Sequence, residues 1–502
     1  MKRREFPRVS PEAVGVPSAA VERLLDQLCY GGMTEPHGLM LMRRGQVFAE
    51  GWWSPYAPGI RHGLQSHTKT YAATAVGIAY TEGILRLDER VIDIFPAQAP
   101  ANPSENLRKL TVRDVLCMGC GMEEMPRPSK DWIRDFLATP VVHTPGTAYM
   151  YNSTGSTLLG AMVRQKTGLG LHDYLTPRLF DKIGIDAANL RWLTMPDGME
   201  VGGGGLYATT EDNLRLMKLY ADGGLWEGER ILAADYVRLA TTLQNESATE
   251  AAVNPPAKDN FVGYGFQIWM CRPEGVYRAD GAMGQFTIVD PRRELLIAIT
   301  ENAGGMTGGV CPQQVLDWLW EFLDELPDPA VDALPPDEAA AGRLKQRLSR
   351  LALPAPGFGP YSPLREQING RTYTIQKGRL SFGDNMALFM TGGSPPAGIR
   401  DLCFRFGSGD CVVSYTQEGT SHSLRAAMDG TRAANTLGTG AASLALASAA
   451  FTAPDELTLT LRWVETCSED RYPFRFTGDS LRYAPPGGPF GAPDPVEGEA
   501  SK

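Results

Sequence analysis

The chain has 502 residues, a formal net charge of −10, 43% hydrophobic and 21% charged residues. These values describe a globular protein long enough for one large domain and an appended one, and they exclude the disordered, collagen-like and membrane-spanning classes. The acidic balance gives no basis for nucleic acid or an anionic membrane as partner.

Near the amino terminus, Met1-Lys2-Arg3-Arg4 is not followed by an apolar stretch of signal-peptide length. With no segment of bilayer-crossing length, the expected location is the cytoplasm. Eight cysteines are too sparse for a disulfide scaffold and fit a reducing compartment. Residues 18–29 carry Val21, Leu24, Leu25 and Leu28 on one side and predict an amphipathic helix; residues 38–42 and 47–53 predict two strands about a turn.

Directly after this hairpin stands Ser66-His67-Thr68-Lys69, at the head of an apolar run that ends before Gly83. A helix here puts the hydroxyl of Ser66 and the amine of Lys69 on one face, with Ser66 in the first turn. The positive end of the helix dipole favours an alkoxide and disfavours a protonated lysine, so the spacing suits a serine nucleophile with a built-in base. About one or two such spacings arise by chance in a chain of this length, so further residues must support the reading.

Helical segments are predicted at 112–118, 132–137 and 156–167. The Cys117-x-x-Cys120 pair has no second CxxC and few histidines to join, so buried thiols are expected there, with no metal and no cofactor. The segment Pro145-Gly146-Thr147 leads to Tyr149, Tyr151 and Ser153. A tyrosine beside a cationic lysine can titrate low enough to act as base and then acid, while Tyr149 and Tyr151 read equally well as alternate residues of an extended segment. Strands are predicted at 263–270, 285–289 and 295–300 and a closing amphipathic helix at 315–326. This order predicts an α+β fold: one antiparallel sheet completed by both ends of the domain, flanked by helices, with a helical insert and a cleft where insert meets sheet.

The expected organisation is a catalytic domain over residues 1–327, a linker and helix over 328–352, an all-β domain over 353–486 and a disordered tail over 487–502. The carboxyl-terminal domain could close the cleft, pair two copies into a homodimer or bind part of a substrate. Trp52, Tyr264 and Trp269 are candidates for either pocket wall or core.

Taken together, Ser66-x-x-Lys69 with its continuation through Gly77, Gly83 and Asp88, Tyr151-x-Ser153, the run Gly202 to Asp212, and Asp280-Gly281-Ala282 before a strand resemble the motifs of the β-lactamase-related serine hydrolases over about residues 10–326. That group holds class C β-lactamases, D-alanyl-D-alanine carboxypeptidases, and related esterases and amide hydrolases. The resemblance implies a β-lactamase-like fold, acylation of Ser66, proton acceptance by Lys69, acid and base work by Tyr151, an oxyanion hole of the Ser66 and Ala282 amides, and substrate contacts from Ser153, Asp280 and Gly281. Two motifs depart from the family pattern: Ser153 stands where asparagine is usual, and Ala279-Asp280 stand where the third motif opens with lysine or histidine. A cation there would pair with a substrate carboxylate and an aspartate would repel one, unless Arg278, on the same strand face as Asp280, compensates. The expected substrate is therefore a neutral or cationic small-molecule ester, amide or peptide rather than a penicillin-type β-lactam. An acyltransferase using the same acyl-enzyme, and a non-catalytic binding protein of the same fold, are the alternatives.

Overall fold

The computed structural model describes residues 5–30, 34–126, 129–246, 258–304, 312–382, 397–437, 442–467, 469–486 and 494–501. They form two compact units that divide after Ala352.

The first unit is built on a six-stranded antiparallel sheet. In chain order the elements that build the sheet or position the site are helix α1 (Ser18–Tyr30), strands β1 (Glu35–Arg43) and β2 (Gln46–Trp52), helices α2 (Thr68–Thr81), α3 (Ser153–Thr167) and α4 (Thr210–Ala221), strands β3 (Trp269–Met270), β4 (Tyr277–Gly281), β5 (Gln285–Asp290) and β6 (Leu295–Asn302), and helices α5 (Pro312–Asp324) and α6 (Glu338–Leu348). The strand order is β2-β1-β6-β5-β4-β3, so the two ends of the unit meet at the β1–β6 pair, in which Leu41 lies opposite Ile297. Those strands are buried on both faces, which explains their nearly unbroken apolar sequence. Met40, Met42, Leu296 and Ala298 face the core shared with the helical insert; α1 packs on β1 and against α5 and α6. Each fully buried aliphatic side chain in such a layer contributes about 1.5–3 kcal/mol of transfer free energy.

The predicted elements at 18–29, 38–53, 285–300 and 315–326 are present within a few residues of the expected ends. The strand expected over 263–270 is not: Gly263 (φ +145°) and Gln267 (φ +56°) break extended geometry, leaving only β3 at its end. Helix α4 was not anticipated; Thr209 caps it, accepting from the Asp212 amide while Asp212 bonds back. Helix α2 begins at Thr68, two residues later than expected. Gln65 has a positive φ (50°), so Ser66 occupies a separate 3-10 turn, Gln65–His67, that runs into the helix.

In the second unit ten strands, from Thr372–Lys377 to Val496–Ala500, form one sheet that closes on itself through a pairing of Ala427 with Ser448. A short helix, Leu364–Ile368, precedes them. The expectation of a disordered tail over 487–502 is corrected by the last strand. Val496–Ala500 hydrogen-bonds on both sides, to Thr372–Lys377 and Ser480–Tyr483, and buries Val496, so both backbone edges are satisfied. Residues 487–493 of that tail lie outside the described residues.

Candidate active site

Ser66 is held in place from both sides of its turn. His67 is fully buried and hydrogen-bonded to Thr287 Oγ1 of β5 at 2.9 Å; burial brings its imidazole down to about 4, so it is a neutral tether at pH 7. Thr68 Oγ1 accepts from the Leu206 amide, and Thr70 donates to the Gln267 carbonyl. Gln267 in turn accepts from Ser156 of α3 at 2.7 Å, so one left-handed buried residue ties α2 to α3. Ser66 itself is half-buried.

Lys69, one helical turn on, is 1% exposed. Its Nζ donates to Ser66 Oγ at 2.9 Å and to the Gly203 carbonyl at 2.5 Å. Burial brings the ammonium down to about 7, with the Asp280 carboxylate opposing the fall. The glycine run 202–205 explains how a backbone carbonyl reaches this amine: a Cβ on Gly203 would lie 2.4 Å from the Ser153 carbonyl oxygen, and one on Gly202 2.8 Å from that of Ser156. Only glycine lets this loop press on the first turn of α3.

Tyr151 lies immediately ahead of α3, its ring centroid 4.7 Å from Lys69 Nζ. It stacks on Trp269 (5.9 Å between centroids, 25° between planes), which meets Tyr264 edge-on at 4.8 Å. Tyr149 is buried in the same cluster, so the alternation expected of the two tyrosines holds, with Tyr151 the one beside the lysine. Tyr264 and Trp269 are core, whereas Trp52 is half-buried. Asn152 caps α3 by accepting from the Gly155 amide. Three methionine sulfurs then cradle this motif: Met118 takes the Asn152 amide (3.2 Å), Met122 its side-chain nitrogen (3.7 Å) and Met125 the Ser153 amide (3.2 Å). Ser153 opens α3 beside Gly203, half-buried.

The end of β4 abuts the segment that carries Ser66. A Cβ on Gly281 would sit 2.1 Å from the Leu64 carbonyl oxygen, so the strand edge and the Ser66 turn approach as closely as backbones can. The exposed Ala282 begins the turn to β5, through Met283 (φ +66°) and Gly284 (φ +90°). Gln285 braces that turn, its amide bonding the carbonyls of Glu301, Ala282 and Met283. Beneath it lies the buried carboxyl of Glu301, neither oxygen of which has a hydrogen-bond partner among the described residues; burial pushes its pKa well above the usual carboxylate range.

Asp280 is not a lone negative charge. Arg278, fully buried, donates from Nε to its Oδ2 at 2.8 Å, so the two side chains share a strand face as the alternation predicts, and the compensating cation that the sequence left open is present. Burial raises the Asp280 carboxyl, while Arg278 and Lys69 lower it.

Cys117 and Cys120 are buried, and desolvation pushes the Cys117 thiol up to about 12, which makes it inert at neutral pH. Among the described residues no group of three metal-ligating side chains converges, and no helix is long and apolar enough to cross a membrane.

The Gly203 carbonyl, Gln267, Gln285 and the three methionines were not anticipated as site-builders. The glycine run was the one visible signal, since a stretch of four glycines marks close backbone approach.

The family model described as Beta-lactamase matches residues 19–317. A 6-aminohexanoate-dimer hydrolase of Paenarthrobacter ureafaciens is 23% identical over 313 residues, 58% of this chain and 77% of that protein. Penicillin-binding protein 4 of Amycolatopsis lactamdurans is 26% identical over 302 residues, 52% of this chain and 76% of that protein. Among solved structures, a penicillin-binding protein homologue from Caulobacter crescentus superposes with a TM-score of 0.50 at 19% identity, covering 64% of this chain and all of the other.

Proposed function

The chain belongs to the Beta-lactamase family and is a serine hydrolase of that group, and from this premise we propose that it cleaves an amide or ester through a covalent acyl intermediate on Ser66. The observation that carries the reading is a fully buried lysine poised near neutrality, 2.9 Å from the Ser66 hydroxyl. Its neutral amine keeps an N–H for the Gly203 carbonyl and turns its lone pair to the Ser66 proton.

Ser66 Oγ then attacks the substrate carbonyl as its proton passes to Lys69, and the amides of Ser66 and Ala282 receive the oxyanion. Collapse breaks the bond to the leaving group, which takes a proton relayed from Lys69 through Tyr151. Water repeats the sequence on the acyl-serine, releasing the acid and restoring the hydroxyl. No metal or cofactor enters these steps.

The substrate class follows from the third motif. With Arg278 and Asp280 paired, that position offers no uncommitted cation to a substrate carboxylate, which favours a neutral or amine-bearing ester, amide or short peptide over a penicillin-type lactam. A chromogenic ester such as p-nitrophenyl acetate tests the mechanism: the parent protein gives a burst of nitrophenolate, and Ser66→Ala lowers kcat by about 10⁴-fold or more. Unchanged turnover in Ser66→Ala refutes it.

A further inference from the structure

Two charged side chains that these steps do not use stand behind the phenol. The Arg278 guanidinium lies 5.5 Å from the centre of the Trp269 ring, Trp269 stacks on Tyr151, and Lys69 Nζ lies over Tyr151. Arg278 from β4, Trp269 from β3, Tyr151 ahead of α3 and Lys69 from α2 thus form one connected column of cation, indole, phenol and cation. Cations are drawn to ring faces, but two buried positive charges served by two neutral rings are costly without a counter-charge.

Asp280 supplies it. Arg278 spends Nε on Asp280 and three further N–H bonds on Asn260 Oδ1 (2.6 Å), the Met270 carbonyl (3.3 Å) and Cys271 Sγ (3.5 Å), a set that fixes the plane of the guanidinium. The other titratable groups facing the column are Tyr264, edge-on to Trp269; Tyr149 beside both; and Asp259 and Cys271, which act on Arg278. Asp280 stands next to Gly281, whose backbone abuts the Ser66 turn (2.1 Å from a Cβ there to the Leu64 carbonyl oxygen), and its carboxylate favours the Lys69 ammonium.

Resting on the assignment of Ser66, Lys69 and Tyr151 made above, we propose that Arg278 and Asp280 are positioning residues for that relay: Arg278 seats Trp269 behind Tyr151, and Asp280 is the counter-charge of Lys69. The third-motif position has thereby exchanged a substrate-facing cation for an internal ion pair that acts on the catalytic groups.

The test is the pH dependence of kcat/KM for p-nitrophenyl acetate in the full-length chain, with intact-mass detection of the acyl-enzyme. In Asp280→Asn the ammonium of Lys69 loses its counter-charge, and the acid limb moves about one pH unit lower. Because Asp280→Asn leaves a buried guanidinium unpaired, the double variant Arg278→Met/Asp280→Asn is measured beside it. It keeps the downward shift, since Asp280 and not Arg278 acts on the Lys69 ammonium, and its kcat falls several-fold as Trp269 loses its brace. An acid limb that stays at the parent pH or moves upward in the folded variants overturns the proposal, as does a rise in KM with no movement of the limb. Failure of the underlying mechanism reads differently: there Ser66→Ala itself turns over the ester at the parent rate and Ser66 carries no acyl group.

Discussion

Replacing Gly281 with alanine tests the oxyanion geometry at its tightest contact. The added Cβ would lie 2.1 Å from the Leu64 carbonyl oxygen, and such contacts are essentially never found under 3.0 Å, so strand and turn must part by about 0.9 Å (3.0 less 2.1). The obstacle is backbone, with Gln285 at 2.9 Å on another side, so no flexible side chain can yield instead. A donor displaced that far from an oxyanion held at about 2.9 Å moves to about 3.8 Å, beyond hydrogen-bond range. Loss of one such donor costs about 10²–10³ in kcat. Stopped-flow acylation by p-nitrophenyl acetate is expected to show this loss in the rate constant, with the burst amplitude still equal to the enzyme concentration because Ser66 and Lys69 stay in place. A folded Gly281→Ala protein acylated within twofold of the parent rate would refute the placement of the oxyanion site between Ser66 and Ala282.

Lys69→Arg keeps a cation beside Ser66 but removes the group able to shed its proton near neutrality. Acylation is expected to fall at least about 10³-fold between pH 6 and 9, and a rate near the parent's would remove the lysine from the base role. Glu301→Gln addresses stability. The folded-state carboxyl is raised above its unfolded value of about 4.3, so its contribution is present in full below that pH and is lost as pH rises through the folded value. The variant is therefore expected to melt several degrees above the parent at pH 8 and close to it at pH 4, by calorimetry; an equal difference at both pH values would show that ionisation of Glu301 is not responsible.

Much of the candidate site was legible because its logic is local. Ser66 and Lys69 are one helical turn apart, Tyr151 follows a turn motif, and strand alternation sets Arg278 and Asp280 on one face; each relation follows from backbone periodicity. What stayed hidden depends on backbone atoms or on soft acceptors. The carbonyl that holds Lys69 belongs to Gly203, and a carbonyl has no letter of its own; the four glycines showed only that something must come close. The sulfurs of Met118, Met122 and Met125 accept amide protons that any turn could have satisfied otherwise, so their role is set by tertiary placement. Residues 263–270 misled because their aromatic and β-branched content matches a strand, while Gly263 and Gln267 take dihedrals that no strand allows. The tail misled in the opposite sense. Its proline and glycine content reads as disorder, yet a five-residue strand between two waiting edges needs little apolar surface of its own.

The most direct test of the account is rapid-quench acylation by p-nitrophenyl acetate from pH 5 to pH 9, with the acylated residue located by peptide mass mapping. The acyl group is expected on Ser66, and its rate of appearance is expected to rise with pH about a midpoint near 7, as Lys69 gives up its proton. An adduct on another residue, or a rate on Ser66 that does not change across that range, would contradict it.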